Sequence, residues 1–431
     1  MSQTTEIVFD DLQTQAIELC CNVDHRLVAI TGKAGTGKTL IIREVYDQLT
    51  RAGYSVACSA PTGKAAKRIQ ESTGIPALTN HRLLGYGMPI ELKDEDTQEV
   101  KRVSTGPSYN RNRPLIYDVI LADEYAMVNH EIHTALTSAI KPGGLLRMFG
   151  DVNQLKPIEE NKFLSEQPTA FQRALAGKNS ITLERIHRQS EGSGIADNGA
   201  RILRGSIPTK RADFNIIFTD QPVNVLKDLV FESLDKGIDF STPEHQIITI
   251  MNKTWVGTQR LNVMLQTLFW KNGEDYMELP RRKFRTAKEE IPPIRVQVGT
   301  KVIYTANTYD LGNGNSVFNG ETGNIVELCD DGSVLIDFMD RVESVPPLII
   351  TTNKNGDYIE IDPRTNIDLA YAVTTHKCQG SEYKNVVYVL NRSTSFMQNR
   401  ANFYTGITRA REYCTVITDQ VSIHKSSKQA G

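Results

Sequence analysis

Ile30-Thr31-Gly32-Lys33-Ala34-Gly35-Thr36-Gly37-Lys38-Thr39 is the stretch that decides the fold. It fits the pattern G-x-x-x-x-G-K-[ST]. The apolar run 26–31 (RLVAIT) precedes it, and a helix-like segment from about Lys38 to Arg51 follows. A strand, a Gly-rich turn and a helix in that order make a phosphate-binding loop. Gly32, Gly35 and Gly37 let backbone N–H groups approach phosphate oxygens, and the helix N-terminus adds its dipole. Lys38 is then the group that neutralises the β- and γ-phosphates, and the Thr39 hydroxyl is a ligand for Mg²⁺. The cofactors this predicts are ATP and Mg²⁺.

Working outward, strand-like runs alternate with helical ones. Tyr54–Ser59, Val119–Ala122 and Leu145–Phe149 read as strands, and Ala65–Ser72 as the start of a helix. Such alternation implies a parallel sheet with both faces covered. The run Val119–Ala122 ends in Asp123-Glu124, which puts two carboxylates at the carboxyl edge of the sheet, where ligands of such sheets bind. Asp123 suits Mg²⁺, and Glu124 suits orienting and deprotonating a water. The segment Gly150-Asp-Val-Asn-Gln154 also closes a strand, so Gln154 is a candidate sensor of the γ-phosphate.

Residues 87–113 break the pattern. They are polar and rich in turn residues, and read as an insertion, either a hairpin or a loop. A second α/β pattern begins at Gln246–Ile250 and resumes at Asp368–Val373, Asn385–Leu390 and Tyr413–Ile417. Between them, residues 295–361 hold short β-like runs separated by Gly, Asn and Asp, which predict a small inserted barrel.

Composition sets bounds. The chain has 431 residues, 39% apolar and 23% charged, with a net charge of −2. A nucleic-acid binder with that balance must concentrate its Lys and Arg in a groove. No run of about 18 apolar residues suggests a membrane span, and MSQTTEIVFDDLQ does not read as a secretory signal. The six cysteines (20, 21, 58, 329, 378 and 414) lack zinc-ligand spacing and read as reduced structural thiols.

The motifs occur in a telling order: ITGKAGTGKT (30–39), APTGKAAKRI (60–69), TNHRLLG (79–85), LADEYAMV (121–128), GDVNQLKPI (150–158), LERIHRQ (183–189), VFNGETGNIV (317–326), AVTTHKCQGSEY (372–383) and FYTGITRARE (403–412). From about residue 9 to 417 this order resembles the superfamily 1 DNA helicases of the RecD/Dda-like branch, and the size resembles the small phage Dda-type members. The resemblance implies an α/β fold of two RecA-like P-loop NTPase domains with parallel sheets. Residues 1–86 and 114–185 would form the first, and 186–294 and 362–431 the second. Residues 87–113 would be a hairpin-like strand-separating wedge, and 295–361 an SH3-like β-barrel.

The resemblance also implies an ATP hydrolase moving 5′→3′ on single-stranded DNA and unwinding duplex DNA, with ATP in the cleft between its domains. Gln13 matches an adenine-reading glutamine. Arg188 and Arg409 match two arginines that reach the γ-phosphate from the second domain, where a guanidinium fork stabilises the transferring charge. Gly380 and Glu382 match a segment coupling nucleotide to strand. Strand contacts fall on Pro61, Thr62, Gly63, Lys64, His81, Asn252, Lys253, Thr374, His376 and Lys377. Such contacts go to phosphate and sugar and carry no base sequence. Trp255 reads as core.

Two positions depart from the family pattern. Ala126 and Cys378 stand where serines are usual, removing one hydroxyl that relays nucleotide state and one that binds phosphate. Expected partners are single-stranded DNA, single/double-strand junctions and replication or recombination proteins, for an enzyme working as a monomer in a bacterial cytoplasm or as a phage protein in its host. The alternatives are a translocase that mainly strips proteins from DNA and a nucleotide-gated binding module with weak ATPase.

Overall fold

The computed structural model describes residues 8–86, 90–93, 100–103, 106–159, 161–185, 193–281, 293–308, 311–312, 315–339, 341–352 and 358–430. The chain divides into two compact units, Met1–Gly87 with Gly106–Ser190, and Met88–Thr105 with Glu191–Gly431.

The first unit is a six-stranded parallel sheet. Its order is Ala77–Thr79, Val56–Ala60, Val119–Ala122, Leu145–Gly150, Leu27–Gly32 and Ser180–Leu183. The strands are short and apolar because both faces are covered. Val28, Ile30, Val119, Leu121 and Phe149 pack on one face, and Ala29, Ile120, Ala122, Leu146 and Met148 on the other. That is the period-two alternation of a pleated strand. Each large aliphatic side chain buried this way contributes roughly 1.5–3 kcal/mol.

Arg147 is fully buried in the same sheet. Its guanidinium donates to the carbonyls of Cys20 (2.6 Å), Asn22 (2.8 Å) and His25 (2.8 Å). It thereby satisfies backbone acceptors at and beyond the end of helix Asp11–Cys21. All six cysteines are free.

The insertion is smaller than the sequence suggests. Ile90–Lys93 pairs antiparallel with Val100–Val103, but residues 106–113 fold back onto the first unit. Tyr109 N–H donates to the Leu84 carbonyl (3.1 Å), and Ser108 Oγ to that of Gly85 (2.7 Å). Tyr109 also packs against the apolar cluster holding Leu84 and Leu115. An apolar aromatic ring within a polar run is what anchors this end.

The second unit has a five-stranded parallel sheet in the order Ala372–Thr374, His245–Thr249, Tyr383–Val389, Ala410–Thr418 and Phe214–Phe218. The run Asp368–Val373 is not one strand. Ile367–Leu369 pairs antiparallel with Lys301–Tyr304, whereas Ala372–Thr374 joins the parallel sheet. Two buried amides bridge the break. Gln246 Nε2 donates to the carbonyls of Ala370 and Tyr371 (3.0 Å each), and Asn262 Nδ2 to those of Leu369 and Ala372 (3.1 and 3.0 Å). Backbone acceptors that lose their ladder partners are thus paired by side chains.

Among the described residues, the inserted region contributes to a five-stranded antiparallel sheet. Its order is Val342–Val345, Val334–Asp337, Thr322–Leu328, Lys301–Tyr304 and Ile367–Leu369. Tyr358–Ile361 stands apart, paired with Ile349–Thr352 in a two-stranded ribbon. Among the described residues no helix is long and apolar enough to cross a membrane.

Candidate active site

In a parallel sheet every strand points the same way, so the loops after the strands share one edge. Across the first unit that edge carries, in order, His81, then Pro61–Lys64, then Asp123-Glu124, then Asp151–Gln154, then the phosphate loop. The strand contacts and the nucleotide residues expected from sequence therefore sit on neighbouring strands of one sheet.

Gly35 (φ 83°) and Gly37 (φ 84°) are left-handed, a conformation that costs an L-residue roughly 1–2 kcal/mol. Gly37 caps helix Lys38–Arg51. A Cβ on Gly37 would strike the Gln13 amide, and one on Gly32 would come within 2.9 Å of Leu183 Cβ. Lys38 Nζ donates to the carbonyls of Gly32 (2.7 Å) and Lys33 (3.0 Å). Thr39 is half-buried on the first turn of the same helix.

Gln13 is buried and tied in place. Its Oε1 accepts from Asp10 N–H (3.0 Å), its backbone N–H donates to Asp10 Oδ1 (2.8 Å), and its Nε2 donates to the Thr36 carbonyl (3.1 Å). The first two bonds form the capping box of helix Asp11–Cys21, and the third ties that helix to the phosphate loop. One donor and one acceptor of the amide remain for a base edge.

Asp123 and Glu124 are both buried. Asp123 Oδ1 accepts from Glu124 N–H at 2.8 Å. Burial and the Glu124 carboxylate push the Asp123 pKa upward, opposed by the positive charges of Arg68 and Lys38. Two adjacent buried carboxylates call for a cation. The donor set at hand, the Thr39 hydroxyl and the Asp123 carboxylate, is all oxygen, which fits Mg²⁺ completing its shell with phosphate and water. Glu124 is left-handed (φ 50°, ψ 37°) and heads the 3₁₀ turn Tyr125–Met127. Strain of this kind in a non-glycine residue collects at functional sites. Arg68 Nη1 lies 3.7 Å from Glu124 Oε1.

Thr31 Oγ1 accepts from Val152 N–H (3.1 Å), and Asp151 Oδ1 accepts from Asn153 (3.0 and 3.1 Å), which fixes the loop bearing Gln154. Gln154 Oε1 is buried and unpaired. Gly150 is demanded by close approach, since a Cβ there would sit 3.1 Å from Ala126 N. Ala126 is itself buried.

On the strand side, Thr62 Oγ1 caps helix Gly63–Thr73 by accepting from Ala65 N–H (3.2 Å). Pro61 and Lys64 are half-buried. The His81 ring packs edge-on against Tyr86 at 5.0 Å, and burial lowers its pKa. Two residues escaped the sequence reading. Arg68 follows APTGKAAK as an ordinary helix cation. Asn80 is fully buried with both ends of its amide unpaired, although it lies next to the His81 that the motif favoured.

In the second unit, Thr249 pairs with Thr374 in neighbouring strands, and Thr375 N–H donates to the Thr249 carbonyl (2.9 Å). Asn252-Lys253 and Thr374–Lys377 therefore leave one sheet edge side by side. Asn252 Oδ1 accepts from Thr258 Oγ1 (2.8 Å), and Lys253 and Lys377 are exposed. Burial lowers the His376 pKa. Trp255 is not core. It is 52% exposed, with the Arg260 guanidinium 3.4 Å from its ring centre. Its neighbours Asn252 and Lys253 sit on an exposed turn, which leaves the indole outside.

Cys378 is fully buried, and its Sγ donates to the Thr375 carbonyl (3.1 Å), so its thiol faces inward and not toward a strand. Gly380 is left-handed (φ 73°), and Glu382 is half-buried. Arg409 is buried. Its Nε donates to the Thr405 carbonyl (3.1 Å) and its Nη1 to that of Ser381 (3.3 Å), tying it to the QGSE segment. Arg188 lies outside the described residues.

A family profile described as AAA domain matches residues 8–215, and one described as UvrD-like helicase C-terminal domain matches 369–417. The ATP-dependent RecD2 DNA helicase of Deinococcus radiodurans is 31% identical over 393 residues, 90% of this chain and 46% of that protein. The chain thus spans about half the length of that relative. The RecBCD enzyme subunit RecD of Mycolicibacterium smegmatis is 25% identical over 442 residues, 92% of this chain and 69% of the subunit. In fold, Bacteroides Pif1 bound to single-stranded DNA aligns with a TM-score of 0.61 at 17% identity, covering 98% of this chain and 94% of the other. Pif1 helicase from Candida albicans aligns at 0.57 and 19% identity, covering 99% and 98%.

Proposed function

We propose that the chain is a RecD-like superfamily 1 helicase, an ATP-driven motor that moves 5′→3′ on single-stranded DNA and unwinds duplex DNA. The observation that carries this reading is the shared sheet edge of the first unit, where the loops for nucleotide and for strand leave adjacent strands. A helicase needs the two coupled, and one rigid sheet holds both.

ATP with Mg²⁺ supplies the phosphoryl group whose transfer to water drives the cycle. Gly32, Gly35 and Gly37 bring backbone N–H groups to the phosphates, and Lys38 exchanges its two loop carbonyls for phosphate oxygens. Thr39 and Asp123 would hold the cation. Glu124 orients the attacking water and accepts its proton. Gln154 positions that water through its unpaired Oε1 or senses the γ-phosphate through its amide N–H. Arg188 and Arg409 stabilise charge on the transferred group, Gln13 reads the adenine, and Gly380 and Glu382 relay nucleotide state.

Pro61–Lys64, His81, Asn252, Lys253, Thr374, His376 and Lys377 grip the strand through phosphate and sugar. The hairpin of Ile90–Lys93 and Val100–Val103 is the wedge that parts the duplex. Unwinding of matched duplexes with a 5′ or a 3′ single-stranded tail tests the reading. Opening of 5′-tailed duplexes is expected, and selective opening of 3′-tailed ones refutes the assigned polarity.

A further inference from the structure

Glu124 has a charged neighbour that its role as a base does not require. Arg68 Nη1 lies 3.7 Å from Glu124 Oε1, beyond hydrogen-bond range but within that of an ion pair. The carboxylate side chain is only 8% exposed and the arginine 31%. Little water screens the pair from the Glu124 side, while the guanidinium keeps an opening to solvent.

The position of Arg68 gives the contact meaning. It projects from helix Gly63–Thr73, the helix whose N-cap is Thr62 and whose first turn carries Lys64. Strand Val56–Ala60, which feeds that helix, lies directly beside strand Val119–Ala122, which ends at Asp123-Glu124. Adjacent strands are about 4.8 Å apart, so one side chain spans the gap. The helix that begins the strand grip thereby reaches the general base through a single arginine.

We propose that Arg68 restrains Glu124 when no strand is bound, and that DNA releases it: a backbone phosphate docking on helix Gly63–Thr73 draws the guanidinium away and frees the carboxylate to take a water. The proposal rests on the reading of Glu124 and of Pro61–Lys64 given above. The chemistry favours the exchange. Guanidinium binds phosphate bidentately, whereas its ion pair with Glu124 is long at 3.7 Å. An ion-paired carboxylate also presents fewer free lone pairs to a water, and one held at φ 50° is poised to reorient when its tether goes. Arg68 is a positioning residue in this scheme: it touches neither ATP nor the attacking water and acts on hydrolysis through Glu124.

The test is steady-state ATPase of the full chain, with and without saturating oligo(dT), for wild type, Arg68→Gln and Arg68→Lys, with thermal unfolding checked for each. Arg68→Gln keeps length and polarity but removes the charge. Its strand-free turnover should rise by about tenfold, the scale for losing one partly screened ion pair. Its strand-saturated turnover should stay within about threefold of wild type, so the stimulation ratio collapses while the KM for ATP holds. Arg68→Lys keeps the cation but loses the fork and some reach, and its ratio should fall between the two. If Arg68→Gln does not fold, the Arg68→Lys ratio decides.

Strand-free turnover that is unchanged or lower in the folded variants overturns the proposal. A purely structural role would lower both rates together. A wild type that oligo(dT) does not stimulate at all refutes the helicase reading itself. A stimulated wild type whose ratio survives in the variants refutes only the role of Arg68.

Discussion

Lys38 Nζ donates to the Gly32 carbonyl at 2.7 Å, so the ammonium closes on the loop that is to receive phosphate. The lysine's hydrogen bonds go to backbone at the loop mouth, and its charge acts on Asp123. Lys38→Ala should therefore abolish ATP hydrolysis and leave the unfolding midpoint within a few degrees of wild type, as for a typical surface change below about 0.5 kcal/mol. Turnover near wild type would remove the basis of the site.

Glu124 sits in a strained conformation with Asp123 beside it. Glu124→Gln preserves shape and removes the proton acceptor. Hydrolysis should slow at least ~100-fold while ATP still binds. Nucleotide affinity by fluorescence titration separates the cases: lost affinity with normal turnover per bound ATP makes Glu124 a binding residue.

Arg409 is bound to the carbonyls of Thr405 and Ser381 inside the second unit. Truncation to Ala removes both bonds, and although the Thr405 carbonyl keeps the Thr408 hydroxyl as a donor (3.3 Å), the loss at Ser381 costs roughly 1–3 kcal/mol, so an inactive Arg409→Ala would be ambiguous. Arg409→Lys is the cleaner variant. It retains a donor and the charge but loses the fork. A drop in strand-stimulated turnover of about 10²-fold with an intact fold is expected, and wild-type turnover would exclude Arg409 from the chemistry.

Because residues 106–113 are anchored on the first unit by Ser108 and Tyr109, only residues 88–105 can be exchanged cleanly. Replacing them with a short Gly/Ser linker should spare ATPase stimulated by single strands and sharply reduce unwinding of 5′-tailed duplexes. Unwinding that survives places the wedge elsewhere. Extending the replacement to residue 112 should also destabilise the first unit, visible as a lower unfolding midpoint.

His133 Nδ1 lies 3.0 Å from Tyr125 Oη, one residue past Glu124. Burial, with smaller contributions from Arg173 and His130, lowers its pKa from 6.5 to about 4. The folded state then binds fewer protons than the unfolded one between these values. Stability is full above about pH 6.5 and falls as the pH drops toward 4. Between pH 7 and pH 5 this histidine should account for about 2 kcal/mol, less whatever solvent screens. Urea unfolding at both pH values should show a flatter dependence in His133→Gln, which stays neutral and still offers Tyr125 an acceptor. Equal slopes in the two proteins would assign the acid sensitivity to other groups.

Motif order made the family legible, and the bacterial relatives are of RecD type. The narrower likeness to small phage enzymes rests on size and motif order alone. Where the reading failed, a local pattern met a non-local partner. Asp368–Val373 looks like one strand because apolar alternation cannot tell which sheet will claim each half. Trp255 looked like core because aromatic residues usually are, and only the fold puts its turn on the surface beneath Arg260.

The amino-acid sequence by itself determined the phosphate loop, the Asp-Glu strand end and the α/β alternation. These are encoded by residue type at short spacing: glycine for left-handed backbone, β-branched runs for buried strands, carboxylates where a strand stops. Tertiary structure alone decided that Gln13 braces the loop, that Cys378 turns inward, that Asn80 is buried unpaired, and that Arg68 meets Glu124. Each depends on strands or helices distant in the chain becoming neighbours. No local propensity specifies such adjacency, which follows from burying both faces of a sheet at once.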